Sequence, residues 1–150
     1  MDKVDVNYAV ELALSELNSE LFRKNIKVQK NLGKNSPTII DLGIERVLSN
    51  LIRNAIDASQ EGSEIGIETY VRRQTLGIEI TDEGRGIPQE EIERIFEPFY
   101  STKEIDKGCG LGLTIVHEIV KRYNGEIGIR SALGRGTTFI IQIPLTQKND

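Results

Sequence analysis

The chain has 150 residues, 38% of them hydrophobic and 28% charged, with a formal net charge of −4. That length supplies one domain, whose core takes about 68–70% of the unfolded surface out of water, and the composition excludes a disordered or fibrous chain. The acidic balance excludes a general nucleic-acid surface, no apolar run approaches the roughly 20 residues of a membrane span, and the start Met1-Asp2-Lys3-Val4-Asp5 carries no apolar leader core.

A single cysteine closes no internal disulfide and points to a reducing, cytoplasmic setting. With no Trp and 14 Gly, ligand chemistry is expected on loops and not in an aromatic cage. The first element is a helix from about Val6 to Phe22, because Val6, Val10, Leu14, Leu17 and Leu21 recur at helical spacing behind the N-cap Asp5. Ile26 to Asn31 alternates like a half-buried strand, and Thr38-Ile39-Ile40 is a short extended segment. Asp41 is expected to cap a second helix that runs to about Ser59, with Gly62 beyond its end. Two strands follow, Glu64 to Val71 and Thr75 to Thr81, turning at Arg72-Arg73-Gln74. Residues 82–112 form a long glycine-bearing stretch holding one short helix, Gln89 to Phe96, and a stretch of that kind inside a compact domain marks a lid or binding loop. A third helix fits Leu111 to Tyr123, and strands Glu126 to Arg130 and Thr137 to Ile143 close the chain around Gly134-Arg135-Gly136. Helices and strands mix without regular β-α-β alternation, so the expected class is α+β, a mixed sheet covered on one face by helices.

Chemistry concentrates in four places, each with a plain structural alternative. Asn50 and Asn54 stand one turn apart on the second helix at the border of its apolar face, with Asp57 nearby. An amide oxygen suits Mg²⁺, which takes few protein ligands besides phosphate and water oxygens; the alternative is amides that merely solvate a helix. Asp82 continues the alternating row Leu76, Ile78, Ile80 into Asp82-Glu83-Gly84-Arg85-Gly86. A carboxylate at the edge of a core needs donors, and the amine of adenine is one, whereas guanine offers a carbonyl there; Gly84 and Gly86 leave room for a flat base. The alternative is a turn with an Asp cap. Gly108-Cys109-Gly110-Leu111-Gly112-Leu113 leads into the third helix, where exposed N–H groups and the helix dipole make a phosphate seat, with Lys103 and Lys107 upstream. A flexible loop explains the same glycines. Gly134-Arg135-Gly136-Thr137-Thr138-Phe139 is either a plain hairpin or one that aims Thr137 at a ligand. His117, the only histidine, has no second His for a zinc pair and is expected on the helix surface.

In this order, with Phe96-Glu97-Pro98-Phe99-Tyr100 between the second and third, the motifs resemble the catalytic ATP-binding domain (HATPase_c) of two-component sensor histidine kinases. That domain belongs to the GHKL superfamily with gyrase B, Hsp90 and MutL, and the resemblance runs from the first helix to Ile143-Pro144-Leu145. It implies a two-layer α/β sandwich and transfer of the γ-phosphoryl group of ATP to histidine. It implies Asn54 as the Mg²⁺ ligand and Asn50 as its companion near the phosphates, with Asp57 and Ala58 beside them. It makes Asp82 the adenine reader, with Gly84, Gly86 and Ile87 along the base and Thr137 supporting Asp82 or a bridging water. A mobile lid spans about 96–110, where Tyr100, Ser101, Thr102, Lys103, Lys107 and Gly108 approach the nucleotide; Gly110, Leu111, Gly112 and Leu113 follow at the phosphates. Asp57 stands where many of these kinases carry Lys or Arg, and Ser101 where many carry a basic residue, so Lys103 is expected to serve catalytically in its place. The Phe-Tyr-Ser-Thr-Lys form is similar to the nitrogen-regulation type. ATP-hydrolysing relatives carry a water-activating Glu where Asn50 stands, which favours transfer to another acceptor.

The acceptor imidazole is expected outside this chain, on the helical dimerisation domain of the same kinase, with a response regulator downstream. The chain is thus expected to be an excised, monomeric catalytic domain, without direct nucleic-acid or membrane contact, from a parent that a membrane can anchor. Alternatives within the superfamily are a Ser kinase of the anti-sigma type and an ATPase module that drives conformational change. A docking module without nucleotide chemistry is the alternative from another class.

Overall fold

The computed structural model describes residues 2–96 and 109–145. In chain order these form β1 (Lys3–Asp5), α1 (Val6–Glu16), α2 (Asn18–Arg23), β2 (Lys27–Asn31), β3 (Thr38–Ile40), α3 (Ile44–Ala58), β4 (Glu64–Arg72), β5 (Thr75–Asp82), α4 (Gln89–Ile92), α5 (Cys109–Arg122), β6 (Glu126–Ser131) and β7 (Thr137–Pro144). Five strands make one sheet in the order β2-β4-β5-β7-β6, and β1 pairs with β3 in a small second sheet. Only β2 with β4 is parallel within the large sheet, so the sheet is mixed and the class is α+β, as expected.

One face of the sheet is apolar. Ile65 and Ile67 of β4, Leu76, Ile78 and Ile80 of β5, and Phe139, Ile141 and Ile143 of β7 are all buried. α3 meets them with Ile44, Val47, Leu48, Leu51, Ile52, Ala55 and Ile56, a stripe at helical spacing. α1 and α5 pack on either side of α3, contributing Val6, Ala9, Val10 and Ala13 on one flank and Val116, Ile119 and Val120 on the other. The opposite sheet face carries Glu64, Glu68, Thr81 and Gln142 to solvent. The result is a two-layer sandwich.

Local chemistry sets the element ends. Asp5 caps α1 as predicted, its side chain accepting from the Tyr8 N–H at 2.9 Å. The single helix predicted over Val6 to Phe22 is two helices broken at the buried Leu17, because Asn18 and Ser19 favour turns over helix interiors and Phe22 is left 85% exposed. Asp41 does not cap α3. Its Oδ1 accepts from the Gly43 N–H at 3.1 Å, and Gly43, at φ +114°, is the residue that turns the chain into the helix. The β4–β5 hairpin closes on two residues, Arg73 and Gln74, both at positive φ, the geometry that matches strand twist. β1 is too short to show alternation and carries no sequence signal. Tyr123, at the end of α5, donates to the Ile40 carbonyl at 2.8 Å and accepts from the Leu42 N–H at 2.7 Å, pinning α5 to the connection that launches α3.

One carboxyl in this helical layer works against the fold. Burial, a hydrogen bond with Glu16, and the negative charges of Glu16 and Asp41 push the Glu45 carboxyl from 4.5 up to about 7. Its Oε2 is buried without a hydrogen-bond partner among the described residues. A raised carboxyl pKa means the folded state binds more protons than the unfolded state between those two values, so stability falls as pH rises from about 4.5 to about 7. Glu45→Gln, which keeps the shape and carries no charge, is expected to unfold a few degrees above wild type at pH 8 and at about the same temperature at pH 5. Thermal melts at the two pH values check this; an equal shift at both would assign the effect to packing.

Candidate functional site

The buried face of the sheet becomes polar at one end. Register places Ile65, Asp82, Thr137 and Ser131 in one row across β4, β5, β7 and β6, and residues paired this way project on the same face. Asp82 is 5% exposed and Thr137 6%, so the alternation that buries Leu76, Ile78 and Ile80 carries a carboxylate into the same layer, as the sequence predicts. Its Oδ1 accepts from the Gly84 N–H at 2.8 Å, which fixes the side chain against the start of the loop.

That loop, residues 83–88, is held between α3 and the β6–β7 hairpin. The Arg85 carbonyl accepts from the Gly134 N–H at 2.8 Å, and the Ile87 N–H donates to Ser131 Oγ at 2.8 Å. A Cβ on Gly84 would collide with the Ala58 carbonyl at the end of α3, and one on Gly86, at φ +76°, with the Ala132 carbonyl. The missing side chains at Gly84 and Gly86, expected to leave room for a base, thus make room first for the protein's own backbone. Ile87 is half-buried against the core.

Ala58 belongs to the turn that follows Asn54, about 6 Å further along the helix. The half-buried Asn54 therefore stands one turn before the contact with the Asp82 loop, the half-buried Asn50 one turn further back, and Asp57 is exposed at the end of the helix. The C-terminus of α3 is fixed from outside: Lys24 Nζ donates to the Ile56 and Ser59 carbonyls, each at 2.9 Å. A cation at these terminal carbonyls also suits the helix dipole. The donor set fits Mg²⁺ held mainly by a ligand's phosphate oxygens, because two neutral amides cannot cage the ion alone. Among the described residues no group of three His, Cys, Asp or Glu is placed to hold a metal.

α5 begins at Cys109, two residues before the predicted start. Gly110, Leu111 and Gly112 are thus not a loop ahead of the helix but part of its first turn, where helix geometry leaves four N–H groups without an intrahelical acceptor. Leu113 is buried in the core and serves packing. Tyr100, Ser101, Thr102, Lys103, Lys107 and Gly108, with most of the expected lid, lie outside the described residues.

The structure revises two expectations about individual residues. His117 is half-buried and not a surface residue: its ring packs on Phe96, centroids 5.7 Å apart, while the Thr114 hydroxyl donates to the Phe96 carbonyl at 3.1 Å. Helical spacing alone could not show this, because the partner comes from the segment after α4. Ser131 was not among the expected site residues, although Ile127, Ile129 and Ser131 alternate along β6 as Ile78, Ile80 and Asp82 do along β5. The predicted strand stopped at Arg130, one residue short.

Residues 40–147 match the family model described as histidine kinase-, DNA gyrase B- and HSP90-like ATPase. Sporulation kinase C of Bacillus subtilis is 35% identical over 143 residues, covering 93% of this chain and 33% of that protein. The nucleotide-free catalytic domain of histidine kinase ThkA superposes with TM-score 0.85 at 26% identity, covering 97% of this chain and 95% of that one. Full-length ShkA in complex with AMPPNP shares the fold, with TM-score 0.84 at 21% identity over 97% of this chain and 31% of that one. The chain spans about a third or less of the length of the curated relatives it matches. A sandwich whose helical layer faces a sheet ending in a buried carboxylate, matched by that model over most of its length, belongs to the histidine kinase-, DNA gyrase B- and HSP90-like ATPase family.

Proposed function

We propose that this domain binds ATP with Mg²⁺ and is the catalytic part of a two-component sensor histidine kinase, passing the γ-phosphoryl group to a histidine on a separate dimerisation domain of the same kinase, and from there to a response regulator. The observation that carries it is the joining of two chemistries at one place. A buried acceptor, Asp82, suits a base amine, and a half-buried amide pair, Asn50 and Asn54, suits a phosphate-bound cation; the close approach of Gly84 to Ala58 joins the loop after Asp82 to the C-terminal end of the helix that bears the amides. The family's description as an ATPase supports ATP as the ligand, and sensor histidine kinases among the relatives support histidine as the acceptor.

In this reading Asp82 orients the base, Asn54 with Asn50 holds the cation side of the phosphates, and the first-turn N–H groups of α5 at Gly110 to Gly112 meet phosphate oxygens. The same reading takes Lys103, with Tyr100, Ser101, Thr102, Lys107 and Gly108, as ATP-contacting residues. Mg²⁺, when bound, neutralises charge on the phosphate oxygens, which is most of what phosphoryl transfer requires. A neutral imidazole brings its own lone pair, so no residue of this chain needs to act as a base, consistent with Asn50 where hydrolysing relatives carry Glu.

Calorimetric titration with and without Mg²⁺ tests the site. Wild type is expected to gain ATP affinity with Mg²⁺, and Asn54→Ala to lose most of that gain while still binding ATP weakly. The domain alone is expected to form no phosphohistidine, and to do so on a dimerisation domain supplied in trans, giving an acid-labile product. Transfer to a hydroxyl, acid-stable, would overturn the histidine reading, and absence of ATP binding would overturn the site.

A further inference from the structure

Three bonds meet at Ser131. Its Oγ lies 2.8 Å from the Ile87 nitrogen, 2.9 Å from the Gly136 carbonyl oxygen and 2.7 Å from Thr137 Oγ1. A hydroxyl has one proton and two lone pairs. The Ile87 N–H can only donate, and the Gly136 carbonyl can only accept. The proton of Ser131 therefore goes to Gly136, one lone pair receives Ile87, and the other is left for Thr137. All three bonds exist together only if Thr137 donates its own proton to Ser131.

We infer that Ser131 is a positioning residue for base selectivity: by taking the Thr137 proton it leaves Thr137 able only to accept, beside an Asp82 carboxylate that also only accepts. This rests on the reading that the Asp82 end of the cleft takes the base. A purine with an amine at position 6 meets two acceptors there, whereas a purine with a carbonyl at position 6 meets no donor from either side chain. Buried acceptors that face another acceptor discriminate strongly, because the pair is left unsatisfied away from water. Thr137 is thereby excluded as a direct hydrogen-bond donor to Asp82; the bridging-water alternative agrees with its remaining lone pairs.

Ser131→Ala removes the acceptor and releases the Thr137 proton, which can then turn to a carbonyl at position 6 or occupy Asp82. The measurement is the affinity of the domain for ATP and for inosine triphosphate, which carries a carbonyl at position 6 and no second amine. Wild type is expected to prefer ATP, and Ser131→Ala to shrink that preference about tenfold, the worth of one buried hydrogen-bond mismatch. Ser131→Thr keeps the hydroxyl and the strand preference of a β-branched residue and is expected to restore the preference. A structural role alone weakens both nucleotides equally, so an unchanged ratio overturns the assignment. If Ser131→Ala does not fold, the near-isosteric Ser131→Cys, whose sulfur is a weak acceptor, gives the same comparison. A wild type that binds ATP but shows no preference overturns the selectivity inference alone, and one that binds neither nucleotide overturns the site reading with it.

Discussion

Asp82→Asn is expected to lower ATP affinity about a hundredfold, because the two oxygens of this carboxylate do separable work. Oδ1 accepts the Gly84 N–H at 2.8 Å, a bond the amide oxygen of Asn keeps. The other position turns from an acceptor into an NH₂ donor. In the proposed site it would face the amine of adenine, donor against donor, in a place only 5% exposed where water cannot relieve the conflict. Asp82→Ala removes both oxygens and is expected to lose stability as well as affinity, so comparing the two separates anchoring from recognition. Titration calorimetry and thermal melts on the same samples check both. Equal affinity in Asp82→Asn and wild type would remove the base from this end of the sheet.

Most of the framework was legible from periodicity, and the reason shows in particular residues. β5 alternates cleanly, so placing Leu76, Ile78 and Ile80 inside also placed Asp82 inside. α3 carries its apolar stripe without interruption, so the border position of Asn54 followed from counting. Asp5 worked as a cap because its own helix begins at the next residue. What was not legible depends on partners distant in sequence. Leu17 is apolar and spaced for a helix, so the turn preference of Asn18 and Ser19 was hidden behind a periodicity that Leu17, Leu21 and Ile26 keep by all packing on the core. Asp41 looks like a cap until Gly43 takes that place. Gly84 and Gly86 looked like space for a ligand, and the structure fills their Cβ directions with Ala58 and Ala132, 26 and 46 residues away in the chain. Ser131 matters through Ile87, Gly136 and Thr137 together, a convergence that no single strand announces.

The contact between Gly84 and Ala58 couples stability to the site, and Gly84→Ala is expected to damage both. Gly84 has no positive φ, so the added methyl meets no backbone strain. Its obstacle is steric: the Ala58 carbonyl oxygen and carbon, and the Ala58 Cβ, stand where the methyl must go. Two of those atoms are main chain, and α3 is held behind them by Lys24 on the Ile56 and Ser59 carbonyls and by the buried Ser59 hydroxyl on the Ala55 carbonyl at 2.6 Å. The helix end cannot give way without breaking those bonds, so either it shifts or the loop does, at a cost of about 1–3 kcal/mol. For a domain of this length that lowers the unfolding midpoint by roughly 3–10 °C. Either shift also moves Asn54 relative to Asp82, and misplacement on the ångström scale is costly where one ligand must satisfy both ends of a site. ATP affinity is therefore expected to fall at temperatures where the variant is still fully folded. Gly128→Ala is the matched control, since an added Cβ in β6 meets nothing within 4 Å; it is expected to leave stability unchanged or raise it by about 0.4–1 kcal/mol at most, and to bind ATP as wild type does. If Gly84→Ala melts lower yet binds ATP normally when folded, the seam between α3 and the Asp82 loop serves the fold alone, and the two halves of the site are positioned independently.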